Sequence, residues 1–185
     1  VTDSNGCTAT DTVTLTPELE ISANAGPQDT LVCFGDILTI TGNTYGASNP
    51  LVSWNLLRNV ITSDSTLSYT FDDSLTFVYD FEFVVTEQNC IVKDSIKVTV
   101  APLPIVDAGI DVAVGSGLPF TLGGNPTGPI NSSYIWTPLT NFYNEADSVN
   151  ANTEIEFNSS VVYVVFVSDS NGCRKNGRQQ VELVQ

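Results

Sequence analysis

Cys7, Cys90 and Cys173 stand 83 residues apart, and the two tryptophans, Trp54 and Trp136, stand 82 apart. A spacing shared by unrelated residue types marks an internal repeat. Local wording agrees. "VTDSNGC" (1–7), "VTEQNC" (85–90) and "VSDSNGC" (167–173) are copies of one phrase, the middle one a residue shorter. "NAGPQDT" (24–30) answers to "DAGIDVA" (107–113), and "LTITGN" (38–43) to "FTLGGN" (120–125). The chain therefore reads as the C-terminal strand of a preceding repeat (1–20) followed by two whole repeats (21–101 and 102–185).

Within each whole repeat the apolar residues alternate. Phe77, Tyr79, Phe81, Phe83 and Val85 fall on one side of a stretch whose other side carries Asp80 and Glu82. A period of two is that of a strand with one buried face. Val161, Tyr163, Val165 and Val167 repeat the pattern. An Asn-Gly turn in "DSNGC" suits a hairpin into the next strand, and in the first repeat that strand places Val92, Ile96, Val98 and Val100 on one side. No segment keeps an apolar period of 3.6. Short strands, turn residues between them and one central Trp per unit predict an all-β chain of tandem β-sandwiches, with Trp54 and Trp136 in the cores. The joints "TPELE" (16–20) and "APLP" (101–104) contain proline and are expected to be extended and stiff.

Charge removes some partners. With 21 acidic and six basic residues the net charge is −15, which repels phosphate backbones and anionic lipid heads. Neither nucleic-acid binding nor membrane insertion is expected. No apolar run approaches the ~20 residues of a spanning helix. There is no His, so the commonest general base and the Ser/His and Cys/His nucleophile pairings are missing. Asp80 with Glu82, and Glu154 with Glu156, share strand faces as a glycosidase pair could. Neighbouring carboxylates on a wet strand are ordinary solvated surface, so the chain is not expected to be an enzyme. Lys93 and Lys97 on the next strand are positioned to pair with Asp80 and Glu82. There is also no Met, and the sequence is expected to be a processed form or a piece of a longer protein.

Cys33 and Cys90 belong to one repeat, and a Cys33–Cys90 disulfide is expected, in an oxidising, extracytoplasmic setting. The position matching Cys33 in the second repeat is Gly115. Cys173 is thus left without a local mate and Cys7 without the rest of its repeat, so both are expected to be unpaired or to pair between molecules. Asp107, Asp111 and Asp169 fall at one predicted domain end and are weak candidates for Ca2+, which takes oxygen ligands. No other metal or cofactor is expected.

"NAGPQDTLVCFGDILTITGN", a central Trp, then "VVTEQNCIVKDSIKVTV", with the variant "VTDSNGCTATDTVTLT", resembles the PKD/Ig-like tandem repeats of Bacteroidota cell-surface adhesins, including SprB-like gliding-motility adhesins exported by type IX secretion. The resemblance covers essentially the whole chain and departs at Gly115. It implies Ig/PKD-like sandwiches outside the cell, serving as a stiff spacer or adhesin stalk. Neighbouring repeats of the same chain are the implied partners, with self-association or surface glycans beside them. It also implies O-glycosylation at Asp-Ser/Thr sites followed by an aliphatic residue or Thr, which fit at Thr12, Thr30, Ser65, Ser74, Ser95 and Ser148. Eight of the 13 Asp residues are followed by Ser or Thr, where composition alone gives about three.

Two other roles fit the residues. Residues 8–16, with Ala9, Val13 and Leu15 on one face, could join copies head-to-tail into an extracellular filament by strand addition. Tyr134, Phe142 and Tyr143 could serve a carbohydrate-binding module of a secreted enzyme.

Overall fold

The structure is a computed structural model and describes residues 1–14, 20–73 and 77–184. Among these, residues 22 to 101 supply β1 (Ser22–Asn24), β2 (Asp29–Cys33), β3 (Ile37–Thr41), β4 (Asn43–Tyr45), β5 (Leu51–Leu56), β6 (Asn59–Thr62), β7 (Thr66–Thr70), β8 (Val78–Glu87) and β9 (Cys90–Ala101). They form a five-stranded sheet in the order β2-β9-β8-β5-β6 and the two-stranded pairs β3-β7 and β1-β4. The apolar faces meet in a core that joins Phe81, Phe83 and Val85 of β8 with Ile96 and Val98 of β9, Leu67 of β7 and Trp54 of β5.

The alternation in the sequence explains this arrangement. Tyr79, Phe81, Phe83 and Val85 are buried, while Asp80 is exposed and Glu82 half-exposed. Phe77 breaks the expected pattern. It precedes β8 and is 54% exposed, although the Val100 N–H still donates to its carbonyl at 2.8 Å. On the wet side Lys93 Nζ meets Glu82 Oε2 at 2.9 Å, and Asp80 stands opposite Lys97. Such surface pairs contribute about 1 kcal/mol at most.

Trp54 is fully buried, its Nε1 donates to the Ser65 carbonyl at 2.9 Å, and its ring lies 4.9 Å from that of Phe83. The repeated glycine of "LTITGN" has a steric cause here. A Cβ at Gly42 would meet the Phe83 ring at 2.6 Å, so this strand end passes too close to the core for any side chain.

Residues 112 to 184 repeat the plan with β10 (Val112–Gly115), β11 (Pro119–Leu122), β12 (Ser133–Thr137), β13 (Thr153–Glu156), β14 (Val161–Ser168) and β15 (Arg174–Val184). The sheets are β10-β15-β14-β12 and β11-β13. In both units an early strand runs parallel to the last one, β2 with β9 and β10 with β15. Trp136 is buried, and its Nε1 donates to the Asn150 carbonyl at 3.1 Å. A short 3-10 helix, Glu145–Val149, packs beside β12. It departs from the expectation of strands alone, and the Asn144 side chain caps it by accepting from the Ala146 N–H at 3.0 Å.

The two cores are separate. One draws on residues between Ala23 and Val100, the other on residues between Val106 and Leu183. Their chemistry differs at one place. Where β9 buries Ile96, β15 buries Gln179. Gln179 donates through Nε2 to the Ile110 carbonyl at 2.7 Å and accepts the Gly123 N–H at 3.3 Å. Gln179→Ala leaves both backbone groups unpaired and is expected to destabilise the second sandwich by about 1–3 kcal/mol, read as a shift of its urea midpoint.

Candidate functional site at the joint between the sandwiches

Parallel pairing of β2 with β9 sets Cys33 opposite Ala101, the last residue of β9. The Phe34 N–H then donates to the Ala101 carbonyl at 2.9 Å. Cys33 therefore sits where the chain leaves the first sandwich. The turn between β14 and β15 sits where the chain comes into the second, since Gly177 near the start of β15 lies against Val106 and Ala108. Across this joint Cys33 and Cys173 form a disulfide, with Cα atoms 5.5 Å apart and 140 residues of sequence between them.

The expected Cys33–Cys90 bond is thereby corrected, as is the expectation that Cys173 is unpaired or intermolecular. Cys90 opens β9 and Cys33 lies beside its close. At roughly 3.3 Å per residue the 12-residue strand keeps its ends about 35 Å apart. Cys7 is exposed and makes no disulfide among the described residues.

The repeated heptapeptide is a turn that positions its own cysteine. Asp169 Oδ1 accepts the N–H groups of Asn171 and Cys173, each at 2.9 Å, and the Asp169 N–H donates to the Cys173 carbonyl at 3.0 Å. Asp3 does the same for Asn5 and Cys7, each at 2.9 Å. Gly6 and Gly172 adopt φ of +87° and +83°, values that disfavour any residue with a Cβ. The shorter middle copy sets Glu87 opposite Cys90 across a two-residue turn.

Around the disulfide the linker is enclosed. Ala101, Pro104, Ala108 and Cys173 are all buried, while Ile105 is exposed. The aspartates near this end are occupied separately. Asp107 accepts from the Gly109 N–H, Asp111 from the Gln180 N–H and Asp169 from its own turn. Among the described residues no three His, Cys, Asp or Glu side chains gather as a metal site would need, so Asp107, Asp111 and Asp169 are not brought together as calcium ligands.

The other candidates are dispersed. Thr12, Ser65 and Ser95 are exposed, Thr30 and Ser148 half-buried, and Ser74 lies outside the described residues. Tyr134 and Phe142 pack against the second core. Tyr143 is 56% exposed, so the three do not form one open aromatic platform. Partial desolvation, then the charges of Glu156 and Glu154, hold the Tyr143 phenol above its ordinary pKa. Residues 8–14 are exposed and lie outside the named strands, with a single bridge from Thr8 to Thr2. Residues 15 and 16 of the proposed inserting strand are outside the described residues. No helix among the described residues is long and apolar enough to cross a membrane.

No protein-family model matches the chain. No curated protein matches it either. Among solved structures it is similar to extracellular domains 3–5 of Drosophila OTK, at 14% identity and TM-score 0.46, over 88% of this chain and 62% of that one. It is also similar to the N-terminal eight Ig domains of Down Syndrome Cell Adhesion Molecule, at 17% identity and TM-score 0.49, over 90% and 24%. A third likeness is to the PKD domain of human KIAA0319, at 19% identity and TM-score 0.35, over 44% and 81%. The chain thus spans less than two thirds of the length of the OTK and cell-adhesion-molecule structures. The fold is all-β, a sandwich built twice.

Proposed function

We propose that the chain is a structural module of an extracellular or cell-surface protein. Its repeats, 21–101 and 102–185 with the last strand of another at 1–20, act in series as a stiff spacer or adhesin stalk. The Cys33–Cys173 disulfide carries this reading. A bond within one repeat would stabilise that repeat alone, whereas a bond across the joint fixes the angle between two. The buried Pro104 and the Phe34 to Ala101 hydrogen bond act in the same direction. A structural disulfide also fits an oxidising compartment, in keeping with the resemblance to secreted bacterial surface repeats. Chemistry plays no part in this role. Among the described residues Glu82 of one carboxylate pair is tied to Lys93, and Glu154 and Glu156 lie on an open strand face.

Small-angle X-ray scattering tests the stiffness. The oxidised chain is expected to fit one interdomain arrangement. The Cys33→Ser/Cys173→Ser variant is expected to give a broader distance distribution with both sandwiches still folded. Equal breadth in the two samples would remove the spacer reading.

A further inference from the structure

The wet faces of the two large sheets differ in charge at matching central positions. Aligned on the tryptophans, the positions of Asp80, Glu82 and Val84 in β8 carry Val162, Val164 and Phe166 in β14. In the first unit charge pairs cross the middle of this face, Lys93 meeting Glu82 and Lys97 standing opposite Asp80, with Leu51, Val78 and Ile91 exposed towards its ends. In the second unit Val164 stands opposite Arg178, and Ser168 opposite Arg174. Among the described residues neither arginine meets a carboxylate within ion-pair distance.

Val162 and Phe166 are each 45% exposed, and Ile135 on the neighbouring edge strand β12 is 58% exposed. A cleft of about 210 Å³ runs between Ser133, Ile135, Phe166, Ser168 and Arg174. An apolar row flanked by unmatched cations, on a chain of net charge −15, is not what solubility alone selects.

The opposite side of the same sandwich is acidic. In β13 Thr153 and Ile155 are buried, while Glu154 and Glu156 face solvent. The exposed Tyr143 lies within reach of both charges. The inner faces of the two sheets meet in the core, Ile155 and Leu122 on one side and Val165 and Tyr163 on the other. The outward faces therefore point in opposite directions.

We propose that the apolar, arginine-bearing face of one copy docks on the Glu154/Glu156/Tyr143 face of a second copy of this chain. The match is one of charge. Two guanidiniums meet two carboxylates, for which arginine's planar fork is well suited, and the valine and phenylalanine row covers the Tyr143 ring. The contact joins two different patches, so it does not close on itself and extends copies side by side. At physiological ionic strength the Debye length of roughly 8 Å screens the long-range repulsion between acidic bodies while leaving contact pairs intact. This docking is independent of whether the joint is stiff.

Sedimentation velocity of the oxidised chain in physiological salt tests the proposal. The weight-average mass is expected to rise with protein concentration into the millimolar range. Arg174→Glu/Arg178→Glu and, separately, Glu154→Lys/Glu156→Lys are each expected to weaken self-association by about tenfold or more. An equimolar mixture of the two variants restores the native pairing, the acidic face of the first against the basic face of the second, and sets the two reversed faces against each other as well, so it is expected to sediment at a higher weight-average mass than either variant alone. A wild-type chain that stays monomeric throughout overturns the proposal. So does a mixture that fails to pair while both variants keep the wild-type circular dichroism, because the arginine face would then serve a foreign acidic partner.

Discussion

Reducing the Cys33–Cys173 bridge is expected to split one unfolding transition into two. The reason is where the bridge sits. Each sandwich has its own core, so the reduced chain melts as two units with their own stabilities. In the oxidised chain, opening the first sandwich alone leaves Cys173 held at the joint by the second. The freed loop runs from Cys33 to the joint, about 70 residues, and closing a loop of that length raises the opened state by about 4 kcal/mol in chain entropy. Opening the second sandwich alone frees a loop of similar length and meets the same opposition. Once either has opened, opening the other merely doubles the loop, which adds only about 0.6 kcal/mol.

The bond therefore resists the first event far more than the second. If the two intrinsic stabilities differ by less than about 4 kcal/mol, the less stable sandwich is lifted past its neighbour and both melt together. Calorimetric scans with and without reductant read this directly. Two transitions that stay in place in both samples would show that the disulfide does not couple the units. A bond inside one sandwich, of the Cys33–Cys90 kind, would have raised one transition and left the other alone.

The disulfide pairing is less legible in the sequence than the fold that carries it. The repeat, the alternating strands and the two tryptophan cores follow from spacing and period, because burial on one face of a strand leaves a mark at every second residue. Sharing a repeat does not make two residues neighbours in a sandwich. β2 runs parallel to β9, so Cys33 at the close of β2 lies beside the close of β9, a strand's length from Cys90 at its start. Parallel pairing is a property of the topology and leaves no period in the sequence. One signal was nevertheless present. The second repeat keeps the hairpin cysteine, Cys173, but has Gly115 where the strand cysteine would be. A hairpin cysteine retained without its supposed partner has its mate elsewhere.

The site residues were less legible still. Asp107, Asp111 and Asp169 fall at one end of the unit in sequence, yet each carboxylate is taken by a different backbone N–H. Proximity to Trp136 in sequence marks Tyr134 and Phe142 as an exposed cluster, yet Tyr134 shares β12 with Trp136 and both rings pack against the second core. The contrast between the two wet sheet faces was readable only once register showed which of Val162, Val164, Arg174 and Arg178 share a side.

Trp54→Ala and Trp136→Ala are expected to be the most damaging single substitutions, each lowering the stability of its own sandwich by about 3–5 kcal/mol. Each removes a fully buried ring and its indole hydrogen bond; the Asn150 carbonyl loses its donor in the second unit, while the Ser65 carbonyl of the first keeps the Gly42 N–H at 2.8 Å. The reduced chain should show this as the fall of one transition only, since the cores share no residue. The oxidised chain should behave differently. A loss of that size cancels most of the roughly 4 kcal/mol that the bridge supplies to the first unfolding event, so the merged transition should separate again. The partner sandwich, now facing a loop already open, should melt close to where it melts when reduced. Wild-type-like merging in the oxidised Trp54→Ala chain would mean that the two sandwiches hold each other through contacts at the joint, and that the covalent bond is secondary to them.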